Sequence, residues 1–352
     1  MLLTVLQRPG GIRPRVAVCA LALLGLPGCR AVRGNGDEFS EPGTPPPRVT
    51  AGDIARQLID ARSIDRAVEF LASDALRGRA APSAGLDRAA AWVGTQLQRS
   101  GLDPAGQDGG YIQYAPGPDR GGSPLRVPNV IGLLPGSESA GGIVMLAARL
   151  DGPGVGPADE HGDSLYNDAT GAAGVAVLVE VARALAALPD RPRRAILFAV
   201  FSGSEAGLTG AAWFADHPTV PLHGMAALVD LVPLGAGRDA GLRVVGPGAD
   251  TVAAVLARVD RQHRLGLSID PRPSAAGAPV DAGPFARLGA PVAGVLGPSD
   301  PVAGTPSDEA SSVDGDRLAR VARLLFFGTR ELATEGVLLP VTARRSPGLR
   351  RP

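Results

Sequence analysis

Two stretches of this chain, Ile143-Val-Met-Leu-Ala-Ala-Arg-Leu-Asp151 and Ala195-Ile-Leu-Phe-Ala-Val-Phe-Ser-Gly-Ser-Glu-Ala-Gly-Leu-Thr-Gly210, decide its fold. Each begins with an apolar run of strand length and ends in charged or small polar residues. Between them, Gly162-Asp-Ser-Leu-Tyr-Asn-Asp-Ala-Thr-Gly171 leads into a helical pattern. Apolar strands that alternate with helices predict an α/β fold with a mixed, mostly parallel sheet between helical layers.

The same patterns continue on both sides of this stretch. Strands are predicted over residues 129–134, 143–150, 195–201, 225–232, 242–245 and 292–296, and helices over 53–72, 86–101, 174–188, 207–215, 251–262 and 317–332. We therefore predict one three-layer α/β/α domain over residues 51–340, with a helical prelude at 51–125. A short basic tail at 341–352 is predicted to be disordered.

Composition limits the classes of function. The 352 residues are 45% hydrophobic but only 4% aromatic, so Ala, Val and Leu must fill the core. The formal net charge is zero, and every cationic side chain other than histidine is arginine. A neutral chain with scattered charge gives no electrostatic reason to expect nucleic-acid binding.

The N-terminus has the pattern of an export signal. An apolar core, Val16–Leu26, follows three arginines and is shorter than the ~20 residues that cross a bilayer. Leu26-Pro-Gly-Cys29 is similar to a lipobox, so residues 1–28 are predicted to be a lipoprotein signal. Lipid on Cys29 would anchor the exported protein in a bacterial cell envelope. A plain secretory signal with an incidental cysteine is the alternative.

Two consequences follow for the mature chain. Residues 29–50, rich in Pro and Gly, are predicted to tether the domain to the membrane. The second cysteine, Cys19, lies inside the signal, so the mature protein has no disulfide and no cysteine metal ligand.

Three further segments support a family resemblance: Phe70-Leu-Ala-Ser-Asp-Ala-Leu-Arg-Gly-Arg79, Gly101-Leu-Asp-Pro-Ala-Gly106 and Gly110-Tyr-Ile-Gln113. With the stretches quoted above, they resemble the co-catalytic di-zinc aminopeptidases of peptidase family M28. The resemblance covers about residues 65–335 and implies the zinc-aminopeptidase fold, which glutaminyl cyclases share.

The resemblance also marks where a zinc pair would be bound. Arg149 stands where the family has its first histidine ligand, and Asp151 matches the aspartate that orients that histidine. Asn167 falls at the bridging aspartate in an ungapped alignment. In a gapped alignment about four residues around the bridge are deleted, and Asp168 is the only nearby acid that could replace it.

At the remaining positions of the family's zinc site, some ligands are kept and others are replaced. Glu205 and Asp230 match carboxylate ligands, whereas Gly304 replaces the last histidine. Ser204 falls at the general base, and a serine hydroxyl is no base near neutral pH without help. His161, in the preceding loop, is a possible substitute ligand, as is Asp168.

Two retained carboxylates without imidazole ligands are not expected to hold zinc tightly. Arginine has no lone pair for a metal, so we expect Arg149 to replace the metal as a structural cation and to pair with Asp151. This reasoning predicts a metal-depleted pseudopeptidase that binds a peptide or protein ligand in its cleft and uses no cofactor.

Three alternatives remain open. An active zinc aminopeptidase could use Asp151, His161, Asp168, Glu205 and Asp230 as rearranged ligands. A cyclase-type transferase would need one zinc, and a serine hydrolase would use Ser204 as its nucleophile.

Overall fold

The computed structural model describes residues 49–117, 126–138, 141–204, 207–235, 241–272, 282–289 and 291–335. The predicted signal peptide and the basic tail lie outside the described residues, together with Cys29 and nearly all of the tether. Glu205 and Ala206 also lie outside them.

A mixed sheet forms the centre of the domain. In the described residues its strands follow the order β1-β3-β7-β4-β8-β11-β9-β10, and β2 also pairs with β3. Strands β7, β4, β8 and β11 are mutually parallel, whereas β3 and β9 run antiparallel to their inner neighbours. The strands are β1 Asp103–Pro104, β2 Ile112–Pro116, β3 Arg126–Leu134, β4 Ile143–Arg149, β7 Ala195–Phe201, β8 Met225–Leu231, β9 Gly241–Val245, β10 Ser268–Arg272 and β11 Val292–Leu296, with β5 Gly154–Val155 and β6 Leu165–Tyr166 in a separate hairpin.

Alternate side chains of β4 face two different cores. Val144, Leu146 and Ala148 pack in the larger core, whereas Met145 and Ala147 pack in the smaller one. Because both faces are covered, β4 is a continuous apolar run rather than an alternating pattern. The three-layer α/β/α fold and the mostly parallel sheet are therefore confirmed.

Helices cover the sheet on both sides. The larger core receives side chains from six of them, and α5 contributes Phe214 to the smaller core. The helices are α1 Ala51–Leu58, α2 Ala61–Leu71, α3 Ala84–Arg99, α4 Ala169–Ala186, α5 Thr209–Asp216, α6 Ala249–His263 and α7 Gly315–Thr334.

Helix α4 is the central helix of the larger core. It is long and apolar enough to cross a membrane by length and composition, but 89% of it is buried inside the protein. A helix that is apolar all round and enclosed by protein is a core helix. Its N-terminus at Asp168 follows the β5–β6 hairpin, which brings it to the carboxyl ends of the parallel strands.

The N-terminal region differs from the prediction in two ways. The predicted helix at 53–72 is two helices, because Ile59 adopts extended backbone angles and buries its side chain between them. The prelude is also not wholly helical, since β1 and β2 join the sheet beside β3. Strand β10 was missed because its half-exposed residues include Pro271, a residue rare inside strands.

Candidate functional site

The carboxyl ends of β4, β7 and β8 bring the predicted site residues to one edge of the sheet. Arg149 ends β4 and pairs in register with Phe201 at the end of β7. Asp230 lies one residue before the end of β8, opposite Ala147 of β4. In open α/β sheets this edge is where ligands bind, so the family motifs fall where a site is expected.

An ion cluster lies at this edge. The Asp168 Oδ2 atom lies 3.2 Å from Arg79 Nη2 and 3.4 Å from Arg149 Nη2. The side chains of Arg79 and Asp168 are only 1% and 6% exposed, and that of Arg149 is 22% exposed. One buried carboxylate is thus shared by two guanidinium groups, which strengthens each contact because little water screens it.

Arg79 is the most deeply buried member of the cluster. Its Nε donates to the Leu150 carbonyl at 2.9 Å, and Nη1 donates to the Asn167 carbonyl at 2.8 Å and to the Leu71 carbonyl. Burial lowers the pKa of the Arg79 guanidinium, and the Asp168 carboxylate opposes that effect most strongly. Arg79 was not predicted as a site residue, although it ends the Phe70–Arg79 segment that matches the family.

Asp168 is fully engaged by protein. Its Oδ1 accepts from the Gly171 backbone N–H at 3.3 Å and caps α4, while Oδ2 faces the two arginines. Its backbone is left-handed, with φ of 52°, which aspartate tolerates better than most residues. Both carboxylate oxygens therefore have protein donors.

Asn167 joins two loops. Its Nδ2 donates to Asp74 Oδ1 at 2.8 Å and to Glu309 Oε1 at 2.9 Å, and the residue is fully buried. Its Oδ1 has no hydrogen-bond partner among the described residues. The Asn167 amide donates to both carboxylates and so holds the two loops together. An aspartate at the same position would have no N–H to donate.

Asp308 holds the start of α4 from the other side. Its Oδ1 accepts from the Thr170 backbone N–H at 3.0 Å, and its Oδ2 accepts from the Thr170 hydroxyl at 2.6 Å. Burial raises the pKa of this carboxyl, and the hydrogen bonds from Thr170 oppose the rise. Asp308 was also missed, although it lies in the Gly304-Thr-Pro-Ser-Asp308 segment that matches the family.

Backbone amides serve two more carboxylates of the motif. Asp151 is fully buried, and its Oδ1 accepts from the Ser204 N–H at 3.2 Å. Asp230 is 1% exposed, and its Oδ2 accepts from the Ala282 N–H at 3.2 Å. The predicted pairing of Arg149 with Asp151 stays a prediction, and Arg149 forms an ion pair with Asp168.

The last two predicted positions are exposed. The His161 side chain is 80% exposed, and its Nε2 lies 3.5 Å from Glu160 Oε1. The structure thus turns this imidazole to solvent rather than into the buried cluster. Gly304 has φ of 74°, and a Cβ added there would meet no atom within 4 Å.

These residues do not fit a co-catalytic zinc pair. Within the described ranges, no group of three or more His, Cys, Asp or Glu side chains could hold a metal ion. The donor chemistry gives the physical reason, because Arg149 and Gly304 offer no lone pair and Asn167 offers only a neutral amide. The positive charge at this edge is supplied by the two guanidinium groups.

Solved structures define the class of fold. An aminopeptidase from Aneurinibacillus sp. strain AM-1 superposes with a TM-score of 0.62 at 15% identity, over 82% of this chain and 97% of that one. A Porphyromonas gingivalis glutaminyl cyclase superposes with a TM-score of 0.64 at 20% identity, over 76% of this chain and 97% of that one. The chain has the fold of these zinc-aminopeptidase-like proteins.

Sequence comparison gives the family. Residues 129–327 match peptidase family M28, and the chain belongs to that family. It is 27% identical over 188 residues to a probable zinc metalloprotease from Pyrenophora tritici-repentis, covering 52% of this chain and 42% of that protein. A second probable zinc metalloprotease, from Phaeosphaeria nodorum, is 26% identical over 176 residues, covering 45% and 34%. The chain thus matches less than half the length of these curated relatives.

Proposed function

We propose that this chain is a pseudopeptidase, an aminopeptidase-like domain that has lost zinc and catalysis and binds a peptide or protein ligand. The observation that supports this most directly is the contact of Arg149 with Asp168. The family's metal-binding edge needs positive charge to hold its carboxylates together, and Arg149 and Arg79 supply it through Asp168.

The arginines also oppose metal binding in a second way. A dication near Arg149 would be repelled, and Asp168 would have to leave two guanidinium groups before it could become a ligand. Ser204 at the general-base position adds to this argument, because a serine hydroxyl is not a base near neutral pH without help. Hydrolysis by this site therefore lacks both the metal and the base.

We further propose that the chain is an exported lipoprotein, anchored by lipid on Cys29 in a bacterial envelope. The lipobox-like Leu26-Pro-Gly-Cys29 and the short apolar core before it support this. A tethered binding domain would then act at a membrane surface.

The alternative function is an active zinc aminopeptidase with rearranged ligands. The retention of Asp151, Asp168 and Asp230 as buried carboxylates at this edge favours it, because carboxylate oxygens are among the ligands that zinc takes in proteins. Metal content separates the two functions.

The first prediction concerns zinc. The full chain, expressed with abundant zinc and dialysed against metal-free buffer, should contain well below one zinc per chain by elemental analysis. The reason is that the remaining donors are too few and two arginines repel the ion. Activity on aminoacyl chromogenic substrates should be absent with or without a chelator.

The control is the variant Glu205→Gln, which removes the retained ligand position. Parent and control should contain the same trace of metal. One or two zinc ions retained by the parent and lost by the control would contradict the proposed function and support the rearranged enzyme.

A further inference from the structure

A cleft lies among α2, α3 and α4, on a helical surface away from the strand ends described above. Its volume is about 420 Å³, and it is bounded by one stripe of side chains from each helix. Spacings of three and four residues place each stripe on a single helix face. The lining includes Ser63 and Arg66 of α2, Trp92 and Arg99 of α3, and Glu180 and Arg183 of α4.

Arginine dominates the charge of this cleft. Three guanidinium groups and one carboxylate line it. The carboxylate, Glu180, is bonded to Arg183, which also donates to the Leu58 carbonyl. That internal pair leaves Arg66 and Arg99 as the cations that face the space.

Arg66 and Arg99 form no ion pair with a carboxylate in the described part of the chain, although the charge of Arg66 opposes the rise in the pKa of Glu180 that burial causes. Other exposed arginines form such a pair, as Arg193 does with Glu138 and Arg272 does with Asp270. The Arg66 guanidinium instead contacts a hydroxyl, Ser63 Oγ, at 3.0 Å. Three guanidinium groups and a single carboxylate leave the cleft with an excess of positive charge, which a bound anion would balance.

Part of the lining of the cleft is apolar. Val179 and Ala67 also line it, and the indole of Trp92 stacks on Phe70 with ring centroids 5.2 Å apart. A ligand in this space would meet guanidinium groups, hydroxyls and an aromatic surface. Guanidinium forks recognise the oxygens of phosphate in pairs, and hydroxyls add further donors.

We propose that this cleft binds a phosphate group, held by Arg66 and Arg99 with Ser63 as an additional donor, and that the rest of the ligand packs against Trp92. The phosphate group could belong to a small soluble phosphate or to an anionic phospholipid headgroup. The proposal is independent of the metal-binding edge, so it does not depend on whether the domain is catalytic.

Trp92 provides a probe inside the cleft. The chain has two tryptophans, and the other, Trp213, stacks on His217 of a different helix end. In the full chain with Trp213→Phe, Trp92 is the only tryptophan. Its fluorescence would be titrated with inorganic phosphate, with glycerol phosphate, and with vesicles of phosphatidylglycerol or of phosphatidylcholine.

The expected result is a saturable change in Trp92 fluorescence that weakens as salt is added. The double variant Arg66→Gln/Arg99→Gln should bind at least about tenfold more weakly, since both charge-assisted contacts are lost. The matched control is Arg261→Gln/Arg330→Gln, which removes the same charge from exposed sites outside the cleft and should bind within about twofold of the parent.

The two sources of phosphate give different patterns. Saturation by soluble phosphates with no preference for phosphatidylglycerol vesicles identifies a small soluble ligand. Binding to phosphatidylglycerol but not to phosphatidylcholine vesicles, with loss in the cleft variant, identifies a headgroup.

Two results would overturn the proposal. One is the absence of any saturable change with all four ligands. The other is equal binding by the cleft variant and the parent, both shown to be folded by circular dichroism.

Discussion

Arg149 places a fixed positive charge at the carboxyl end of β4. Its guanidinium ends β4 and lies 3.4 Å from Asp168, which Arg79 contacts from the other side. A carboxylate as buried as Asp168 loses most of its hydration, so removal of one partner leaves a charge that water cannot reach. The arrangement therefore makes Arg149 a stabilising residue.

A double-mutant cycle tests this role. Arg149→Met and Asp168→Asn should each lower the free energy of unfolding, and their effects should be non-additive by about 2 kcal/mol. The reason is that each variant removes the same buried contact. Urea unfolding of the four proteins measures the coupling.

The control cycle uses Arg193→Met and Glu138→Gln. Their side chains are 48% and 50% exposed, so their coupling should stay below about 1 kcal/mol. Equal coupling in both cycles, or none for Arg149, would show that the arginine does not act as the structural cation.

Sequence reasoning found the changed residues but not their partners. Arg149, Asn167 and Gly304 could be identified because each interrupts a motif whose neighbours match. The partners Arg79, Asp74 and Glu309 could not, because they depend on loops from distant parts of the chain that meet at the start of α4. His161 was considered because it lies nearby in sequence, but its loop turns it outward.

At the scale of elements, the turn at Asp74–Arg79 delivers Arg79 to the buried cluster. Gly78 in this turn has φ of 65° and packs against the β5–β6 hairpin, so that an added Cβ would lie 2.3 Å from the Tyr166 carbonyl oxygen. Both the backbone angle and the close packing require glycine. The turn and the hairpin thus form one support for the ion cluster.

The variant Gly78→Ala should lower the free energy of unfolding by about 3 kcal/mol, because it adds a steric overlap to the cost of a left-handed backbone. Thermal and urea unfolding measure the loss. The change should also expose Arg79, since the turn must move to make room.

Gly101→Ala is the matched control. Gly101 has φ of 78°, but a Cβ there would meet nothing within 4 Å. It should lose only the conformational part, about 1 kcal/mol. Similar losses for the two variants would mean that packing against the hairpin contributes little.

Strong periodicity explains which elements were predictable. The apolar runs of β4, β7 and β11 and the helix α7 match their predictions within two residues at each end, and α4 begins five residues earlier than predicted. The short strands β1, β5 and β6 have two residues each and are defined by pairing partners, which no local pattern contains. The break at Ile59 is likewise a packing effect.

At the scale of the whole molecule, the net charge is zero, but acidic and basic side chains are concentrated on different surfaces. Acidic side chains gather where α2 meets the start of α7, whereas arginines line the cleft on the neighbouring face of α2. Loss of hydration, together with Glu69, Asp316, Asp314 and Asp60, raises the pKa of Asp65. Composition alone could not predict this, because it depends on which helices pack together.

The variant Asp65→Asn should be more stable than the parent at pH 7, by about 0.5 kcal/mol after allowance for solvent screening. The pKa of Asp65 is higher in the folded state than the value of 3.8 for the unfolded chain. Protonated Asp65 therefore makes its full contribution to the stability of the parent below pH 3.8. That contribution is lost as the pH rises through the folded pKa. Urea unfolding should therefore show the gain shrinking toward pH 3.

Asp190→Asn, in an exposed loop, is the control for the same change in net charge. It should leave stability nearly unchanged over this pH range. A gain equal to that of Asp65→Asn would point to overall charge instead of local crowding.

The backbone at Gly304 limits what a substitution by histidine could achieve there. A larger side chain meets no obstacle there, but its backbone is left-handed, a conformation that a histidine adopts only at a cost. A histidine at this position would therefore stand on a backbone that favours glycine. Because Arg149 offers no lone pair either, one substitution at Gly304 would not complete a set of metal ligands, and a metal site would take at least two.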